Sequence, residues 1–191
     1  WNWKCIDQRM CDRFYDEYKD RLDHYDGFVV SYPTVFLKLF EKFNKPIIVI
    51  SAIRYEYPLL DDPVRLNWLE DSIKNNKNLI LTANNEFDKK YAEKFTGVDW
   101  KWIPSLCNYT NAKWNKKSDK FVYNSRFVLE EHPDLIPLAK LGKHSWDDLY
   151  SYAGIIHFPY AISVMSVFEQ NTANVPLFFP TKRYAKELFH Q

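Results

Sequence analysis

Three polar side chains in the last third of the chain have the spacing of a ligand-binding helix face. Ser163, Ser166 and Glu169 are three residues apart, so on an α-helix they share one side. The apolar run Ala153–Phe158 before them predicts a buried strand. A helix that begins after such a strand exposes backbone N–H groups that favour a phosphate, and a carboxylate further along could accept hydrogen bonds from sugar hydroxyls. The simpler interpretation is a capping serine and an ordinary surface glutamate.

A second candidate is the polar loop after Ile47–Ile50. That β-branched run is typical of a parallel strand buried on both faces, and α/β proteins bind ligands at the carboxyl ends of such strands. Glu56 could accept a proton from a substrate hydroxyl as a general base, with Arg54 orienting the substrate. The alternative is that Glu56 binds this hydroxyl-bearing substrate, the acceptor, or has a structural role. Ser31, Tyr32 and Tyr55 could line the acceptor side of the same site.

Other titratable residues are weaker candidates for a catalytic base or for metal ligands. His157, at the end of a predicted strand, is a weaker candidate for the base. Asp61 and Asp62 resemble a metal-binding pair, but they stand directly before Pro63, and this position favours helix N-capping. The chain has no DxD motif, and its three cysteines have neither zinc-site spacing nor a disulfide pattern. We therefore expect no metal and a reducing, cytoplasmic compartment.

Alternating helices and strands would position these residues. Apolar periodicity predicts helix–strand–helix–strand over residues 7–50, which is a βαβ unit with a preceding helix. The polar, Asn- and Lys-rich residues 111–119 resemble a linker, and a helix is predicted at 133–140. The predicted fold is α/β, with two Rossmann-like lobes, residues 1–110 and 120–191, facing a cleft. No GxGxxG or Walker A motif occurs, which excludes classical dinucleotide and P-loop sites.

Composition limits the possible partners. The 191 residues are 46% hydrophobic and 27% charged, with a net charge of +1, as in a globular protein without a bulk attraction to nucleic acid or anionic membranes. The sequence contains no run of 18 apolar residues and therefore predicts no transmembrane segment, so we expect a soluble chain. Because the chain begins at Trp1 rather than Met, we expect it to be part of a longer polypeptide with further domains.

Several passages resemble GT-B glycosyltransferases. The segment KHSWDDLYSYAGIIHFPYAISVMSVFEQNTANVPLFFP is similar to the donor half of that family: a short helix, a strand, a Pro-containing loop, a helix with a Glu, and a Pro before the next strand. KPIIVIS resembles the family's "kPvi" strand, and LILTANNEFDKKYAEKFTGVDWKWIPSLCN resembles its passage from "ViaNSxF" to "viP". The similarity covers about residues 26–190. Asn174 replaces the usual Gly, Glu169 stands without a second acidic residue, and the chain has about half the family's length.

The resemblance implies a nucleotide-diphosphate sugar as co-substrate, with no other cofactor and no metal. Ser163 and Ser166 would hold the pyrophosphate, and Glu169 would hold the ribose. Arg126, in the segment Asn124-Ser125-Arg126 where the family often has Gly-Arg, would stabilise the leaving diphosphate. The remaining donor-side residues implied by the resemblance are Lys143, His144 and Tyr160.

The predicted function is a glycosyltransferase that moves a sugar from a nucleotide donor such as UDP to a glycan acceptor, with inversion. L-rhamnose is a sugar that an aromatic-rich, weakly polar pocket would suit. The compact chain and its Lys-, Asn- and Tyr-rich composition are similar to glycan-building enzymes of large DNA viruses, including chloroviruses, which would place it in a host cytoplasm. Two alternatives stay open: a non-catalytic glycan- or nucleotide-sugar-binding module, and a nucleotide-sugar 2-epimerase, which would need more acidic and His residues.

Overall fold

The computed structural model describes residues 5–124, 132–158 and 164–189. The chain divides into two compact units, Trp1–Ser105 (unit 1) and Leu106–Gln191 (unit 2). Each unit contains its own parallel sheet with helices, so the predicted α/β class is confirmed. Across these described ranges, no helix is both long enough and apolar enough to cross a membrane.

Helices and strands alternate along unit 1 as its sequence pattern predicts. Short 3-10 turns, Thr34–Phe36 and Glu41–Phe43, extend its second helix at both ends. The elements are α1 (Gln8–Leu22), β1 (Phe28–Val30), α2 (Leu37–Phe40), β2 (Ile47–Ser51), α3 (Pro63–Asn75), β3 (Leu79–Ala83), α4 (Glu86–Thr96) and β4 (Lys101–Trp102).

The sheet of unit 1 has the order β1-β2-β3-β4, with every neighbouring pair parallel. Parallel neighbours need crossover connections, and crossovers are right-handed in nearly all proteins. When strands follow one another in sequential order, right-handed crossovers lie on the same face of the sheet. All strands therefore end at one edge, where the loops after β1, β2 and β3 meet.

The two faces of this sheet are not equally covered. The row formed by Val30, Val49 and Leu81 is buried in the core of the unit. In the adjacent row, Val29, Ile48 and Ile80 are 65%, 37% and 40% exposed. The prediction that Ile47–Ile50 is buried on both faces is therefore wrong: burial alternates along β2, because the connecting helices lie on a single face.

A buried lysine connects two helices on the covered face. Lys38, on α2, is only 7% exposed, and its Nζ lies 2.7 Å from Oε2 of Glu41. The same Nζ donates a hydrogen bond to Oγ of Ser72 on α3 and lies 4.2 Å from the centre of the Trp68 ring. These contacts hold α2 against α3, since a buried ammonium needs all of its partners to offset its lost hydration.

We predict that Lys38→Ala lowers the free energy of unfolding by about 2–4 kcal/mol, because Ser72 and Glu41 lose their partner in a mostly buried place. Urea denaturation would measure the change. The control is Lys42→Ala, whose ammonium pairs with Asp12 on the surface, and we expect its unfolding midpoint to stay at the wild-type value. Equal effects of the two substitutions would contradict a structural role for Lys38.

Unit 2 is built on a second parallel sheet, with the order β6-β5-β7-β8. Its core contains Val122, Leu149, Tyr150, Ile155 and Val175. The elements are β5 (Phe121–Asn124), β6 (Leu135–Pro137), α5 (Trp146–Leu149), β7 (Gly154–His157), α6 (Met165–Thr172), β8 (Leu177–Phe178) and α7 (Lys182–Phe189), with 3-10 turns at Asn108–Thr110 and Leu138–Leu141.

The predicted linker, residues 111–119, contains neither helix nor strand, but it is hydrogen-bonded to unit 2. Backbone N–H groups of Trp114 and Asn115 donate to the carbonyls of Ala173 and Tyr150, at 2.9 and 3.1 Å. Ala112 is buried in the same core. These residues therefore extend the packing of unit 2.

The helix predicted at 133–140 is absent, and the prediction is wrong. Residues Leu135–Pro137 form the edge strand β6, and a 3-10 turn follows. Pro137 explains the difference, because proline has no N–H for a helical hydrogen bond and is tolerated on an edge strand.

Candidate functional site

The loop after β2 is held by consecutive tight turns. Backbone N–H groups of Tyr57 and Leu59 donate to the carbonyls of Arg54 and Glu56, at 3.2 and 2.6 Å. Asn84, at the end of β3, donates from its amide to the carbonyl of Ala52 at 3.2 Å. The loop is therefore attached to the point where α4 begins.

Glu56 lies in this loop with its carboxylate inside the unit. The residue is 3% exposed, and its Oε1 accepts a hydrogen bond from the Tyr91 hydroxyl at 2.8 Å. Its Oε2 is enclosed and has no hydrogen-bond partner among residues 5–124, 132–158 and 164–189. Buried carboxylate oxygens are nearly always hydrogen-bonded, because an unpaired one destabilises the fold. An unpaired buried oxygen therefore indicates that stability alone does not explain the residue.

Tyr91 is brought to Glu56 by helix α4. The helix begins at the N-cap Asn85, whose side chain accepts from the N–H of Asp88, and it ends at Gly97, with φ of 70°. The Arg54 guanidinium lies 4.4 Å from the centre of the Tyr91 ring. Burial and the hydrogen bond to Glu56 raise the pKa of Tyr91, while the charge of Arg54 opposes this shift. Arg54, Tyr91 and Glu56 thus form one connected group.

The predicted acceptor-side residues fall into separate places. Tyr55 is 3% exposed, and its hydroxyl donates to Oε1 of Glu70 at 2.7 Å, so its side chain packs the loop against α3. Tyr32 is 41% exposed and stacks on Tyr57, with ring centres 5.8 Å apart and planes at 21°. Ser31 is exposed directly after β1. An aromatic pair therefore lies at the carboxyl edge of unit 1.

Within the pair Asp61-Asp62, Asp62 has the capping role that its position before Pro63 predicts. The Asp62 side chain accepts from the N–H of Arg65 at 3.0 Å and caps α3, which begins at Pro63. The hydrogen bonds from Arg65 hold the pKa of Asp62 below its usual value. Elsewhere in the described parts of the chain, too, no three His, Cys, Asp or Glu residues are grouped as metal ligands would be.

In unit 2, part of the predicted donor side falls outside the described residues. This applies to Arg126, Tyr160 and Ser163. Helix α6 begins at Met165, and its N-cap is Val164 rather than the serine of the simpler interpretation. Lys143 and His144 are exposed before α5, and Nδ1 of His144 is 2.8 Å from the carbonyl oxygen of Gly142.

Glu169 and its partner Tyr109 form the most distinctive contact of unit 2. Glu169 is 8% exposed, so its interpretation as an ordinary surface residue is wrong. Its Oε1 accepts a hydrogen bond from the hydroxyl of Tyr109, in the 3-10 turn Asn108–Thr110. That turn is attached to α6 by the N–H of Cys107, which donates to Oγ1 of Thr172 at 3.3 Å. The hydrogen bond to Glu169 raises the pKa of Tyr109 to about 12.

The charge of Glu169 acts on two further side chains of unit 2. Tyr150 is fully buried, and its hydroxyl has no hydrogen-bond partner in the part of the chain that the structure describes. Burial and then the charge of Glu169 raise the pKa of the Tyr150 hydroxyl. Burial and the same charge also raise the pKa of the Cys107 thiol. The charge of Glu169 therefore favours the protonated forms of both the Tyr150 hydroxyl and the Cys107 thiol.

His157, the weaker candidate for the base, is a buried residue at the end of β7. It is 5% exposed, its Nε2 is hydrogen-bonded to Oε1 of Gln170, and its ring stacks on Phe179 with centres 5.6 Å apart. Burial lowers the pKa of His157 below 6.5. With its pKa lowered by burial, the ring is neutral at pH 7.

In comparisons with known proteins, no family model, no curated protein and no solved structure matches the chain. The case for a function therefore depends on the residues themselves. Sequence reasoning missed Tyr91, Tyr109 and Tyr150. Only Tyr109 carried a local signal, as an aromatic residue in an otherwise polar stretch.

We predict that Tyr91→Phe lowers the free energy of unfolding by about 1–2 kcal/mol, because the buried Glu56 carboxylate loses its hydrogen-bond donor. Urea denaturation at neutral pH would measure this. Tyr25→Phe is the matched control, since Tyr25 is 50% exposed, and it should leave stability unchanged. If Tyr91→Phe behaved like the control, the contact would carry no stabilisation.

The buried His157 predicts acid sensitivity. The unfolded chain binds a proton at His157 near pH 6.5, whereas the folded chain resists protonation until lower pH, so stability falls as pH drops below about 6.5. In His157→Gln this part of the loss should disappear. Urea midpoints at pH 7.5 and 5.5 would show a smaller difference for His157→Gln than for wild type. The exposed His144→Gln is the control, and an identical pH dependence in all three proteins would refute the prediction.

Proposed function

We propose that the protein is a nucleotide-sugar-dependent glycosyltransferase that moves a sugar onto a hydroxyl of a glycan acceptor. The observation that carries this proposal is a feature common to both units. After the carboxyl end of one strand, each has a buried glutamate to which a single side chain of the described residues donates a hydrogen bond. Glu56 follows β2 and Glu169 follows β7. Since an ionised carboxylate has about four acceptor positions, both can take further hydrogen bonds from a ligand.

In this proposal, unit 2 binds the nucleotide. Glu169 accepts hydrogen bonds from the ribose hydroxyls, and Ser166 lies in the first turn of α6, where backbone N–H groups favour a diphosphate. Arg126, Tyr160 and Ser163, together with Lys143 and His144, complete the donor side as the GT-B resemblance implies. Their roles stay predictions, as does L-rhamnose as the transferred sugar.

Unit 1 supplies the base. As the acceptor oxygen attacks the anomeric carbon, its proton passes to Glu56 and the bond to the nucleoside diphosphate breaks, which inverts the configuration. Arg54, exposed at the edge of the same group, would orient the acceptor. Because Oε2 of Glu56 is enclosed, a side chain of the loop must move before an acceptor hydroxyl reaches it. Catalytic contacts often form only in the substrate complex.

The enclosure of Glu56 also supports a second candidate. If the loop keeps its closed conformation, the carboxylate does not touch an acceptor, and the protein binds a nucleotide sugar or a glycan without turnover. The stacked pair of Tyr32 and Tyr57 suits such a binding module, because flat aromatic faces give large contact area. The two candidates differ in one observable, which is turnover of the donor.

A thermal-shift panel with UDP-, GDP- and dTDP-sugars, followed by assays of donor hydrolysis and transfer, tests the proposal. We expect one nucleotide to stabilise the protein, and Glu169→Ala to weaken its binding about tenfold or more. Glu56→Gln should lower turnover by about 10²–10⁴ while the thermal shift stays unchanged. The exposed Glu86→Gln and Glu187→Ala are matched controls.

Each outcome has a distinct meaning. No stabilisation by any nucleotide would contradict the donor site in unit 2. Stabilisation without turnover would replace the transferase by the binding module. Normal turnover in Glu56→Gln would remove Glu56 as the base.

A further inference from the structure

Tyr109 lies on the solvent side of Glu169. The tyrosine is 63% exposed, whereas the glutamate to which its hydroxyl donates is 8% exposed. A ligand that approaches Glu169 from the side of this hydrogen bond therefore meets Tyr109. Within the described residues, the Tyr109 hydroxyl is the one hydrogen-bond donor to this carboxylate.

The side chain of Tyr109 can move without disturbing its backbone. The N–H of Asn111 donates to the carbonyl of Asn108 at 3.1 Å, and Asn111 ends the turn with φ of 50°. The N–H of Cys107 is attached to Thr172 on α6. Both ends of the short turn are thus fixed, and an exposed tyrosine side chain changes rotamer within nanoseconds.

The Tyr109 hydroxyl also has the hydrogen-bonding character of a sugar hydroxyl. With its pKa raised to about 12, it stays protonated and neutral across the physiological range, so it donates one hydrogen bond to Oε1 of Glu169. A ribose hydroxyl would make the same kind of bond to the same oxygen. The buried Tyr150 hydroxyl, on which the charge of Glu169 also acts, has no hydrogen-bond partner among the described residues.

We propose that Tyr109 competes with the ribose of a nucleotide for Glu169, and that nucleotide binding displaces its hydroxyl from the carboxylate. The inference depends on the proposed function, because it takes the nucleotide as the ligand of unit 2. Binding then exchanges one hydrogen bond within the protein for those made by the ribose. Tyr109 lowers the affinity of unit 2 for ribonucleotides and keeps the buried carboxylate paired with a donor.

Isothermal titration calorimetry with UDP and GDP, using the intact chain, tests this competition. Tyr109→Phe keeps the ring and removes only the hydroxyl, so we expect a roughly threefold to tenfold gain in affinity. The 2′,3′-dideoxy forms of the same nucleotides cannot donate from the ribose, and their affinity should not change. The gain should also disappear when Glu169→Gln is combined with Tyr109→Phe. Tyr184→Phe, at a tyrosine of α7 that is 43% exposed, is the matched control.

The results separate this inference from the proposed function. If UDP or GDP binds the wild type and Tyr109→Phe equally well, or binds Tyr109→Phe more weakly, nucleotide binding stands and the competition is refuted. An equal gain in affinity for the dideoxy nucleotides would also refute it, because the gain would not depend on the ribose hydroxyls that are proposed to bind Glu169. If neither protein binds any of the nucleotides, the competition and the donor site fall together.

Discussion

Parallel strand pairing is the constraint on which the rest of both units depends. A parallel neighbour can be reached only by a crossover, and each crossover returns the chain so that successive strands end at the same edge. In unit 1, this brings the loop of Glu56 beside the end of β3, where Asn84 joins the two. In unit 2, α6, which carries Glu169, lies between β7 and β8 in the chain, and these two strands pair in parallel. The sheets thereby determine where buried carboxylates and their partners can meet.

Both candidate positions use a glutamate that a tyrosine hydroxyl keeps hydrogen-bonded. Glu56 is bound by Tyr91 and Glu169 by Tyr109. A neutral donor satisfies one oxygen without the full charge compensation that an arginine would give. The carboxylate therefore keeps its capacity for a ligand, at some loss of stability, which is the arrangement expected of residues that the fold alone does not require.

The local pattern of the sequence was sufficient for most helices and strands. Asp62 before Pro63 correctly predicted the start of α3. Asn174, which stands where GT-B proteins usually have Gly, adopts a left-handed conformation with φ of 60°. The helix predicted around Pro133 is absent because residues 135–137 pair with β5 instead. Pro137 argues against a helix there, but nothing local indicates the strand with which this segment pairs. For the same reason, the exposed face of β2 could not be inferred: a run of β-branched residues does not show on which face the helices pack.

The site was less predictable than the fold. Glu56 and Glu169 could be selected by their places after strands, but their partners are 35 and 60 residues away in the chain. Nothing near Tyr91 or Tyr109 in sequence indicates a carboxylate, because the contacts arise only when α4 and the turn at Asn108–Thr110 pack. Burial of Tyr55 likewise depends on Glu70 of α3. Spacing identifies which residues share an element, whereas pairs across elements require the folded chain.

The central claim is that unit 2 binds a nucleoside diphosphate through Glu169. A crystal structure of the intact chain with bound UDP or GDP tests it most directly. The account predicts a ribose hydroxyl within hydrogen-bond distance of the Glu169 carboxylate, with the diphosphate at the start of α6. A nucleotide bound elsewhere, with the Tyr109–Glu169 hydrogen bond intact, would contradict it.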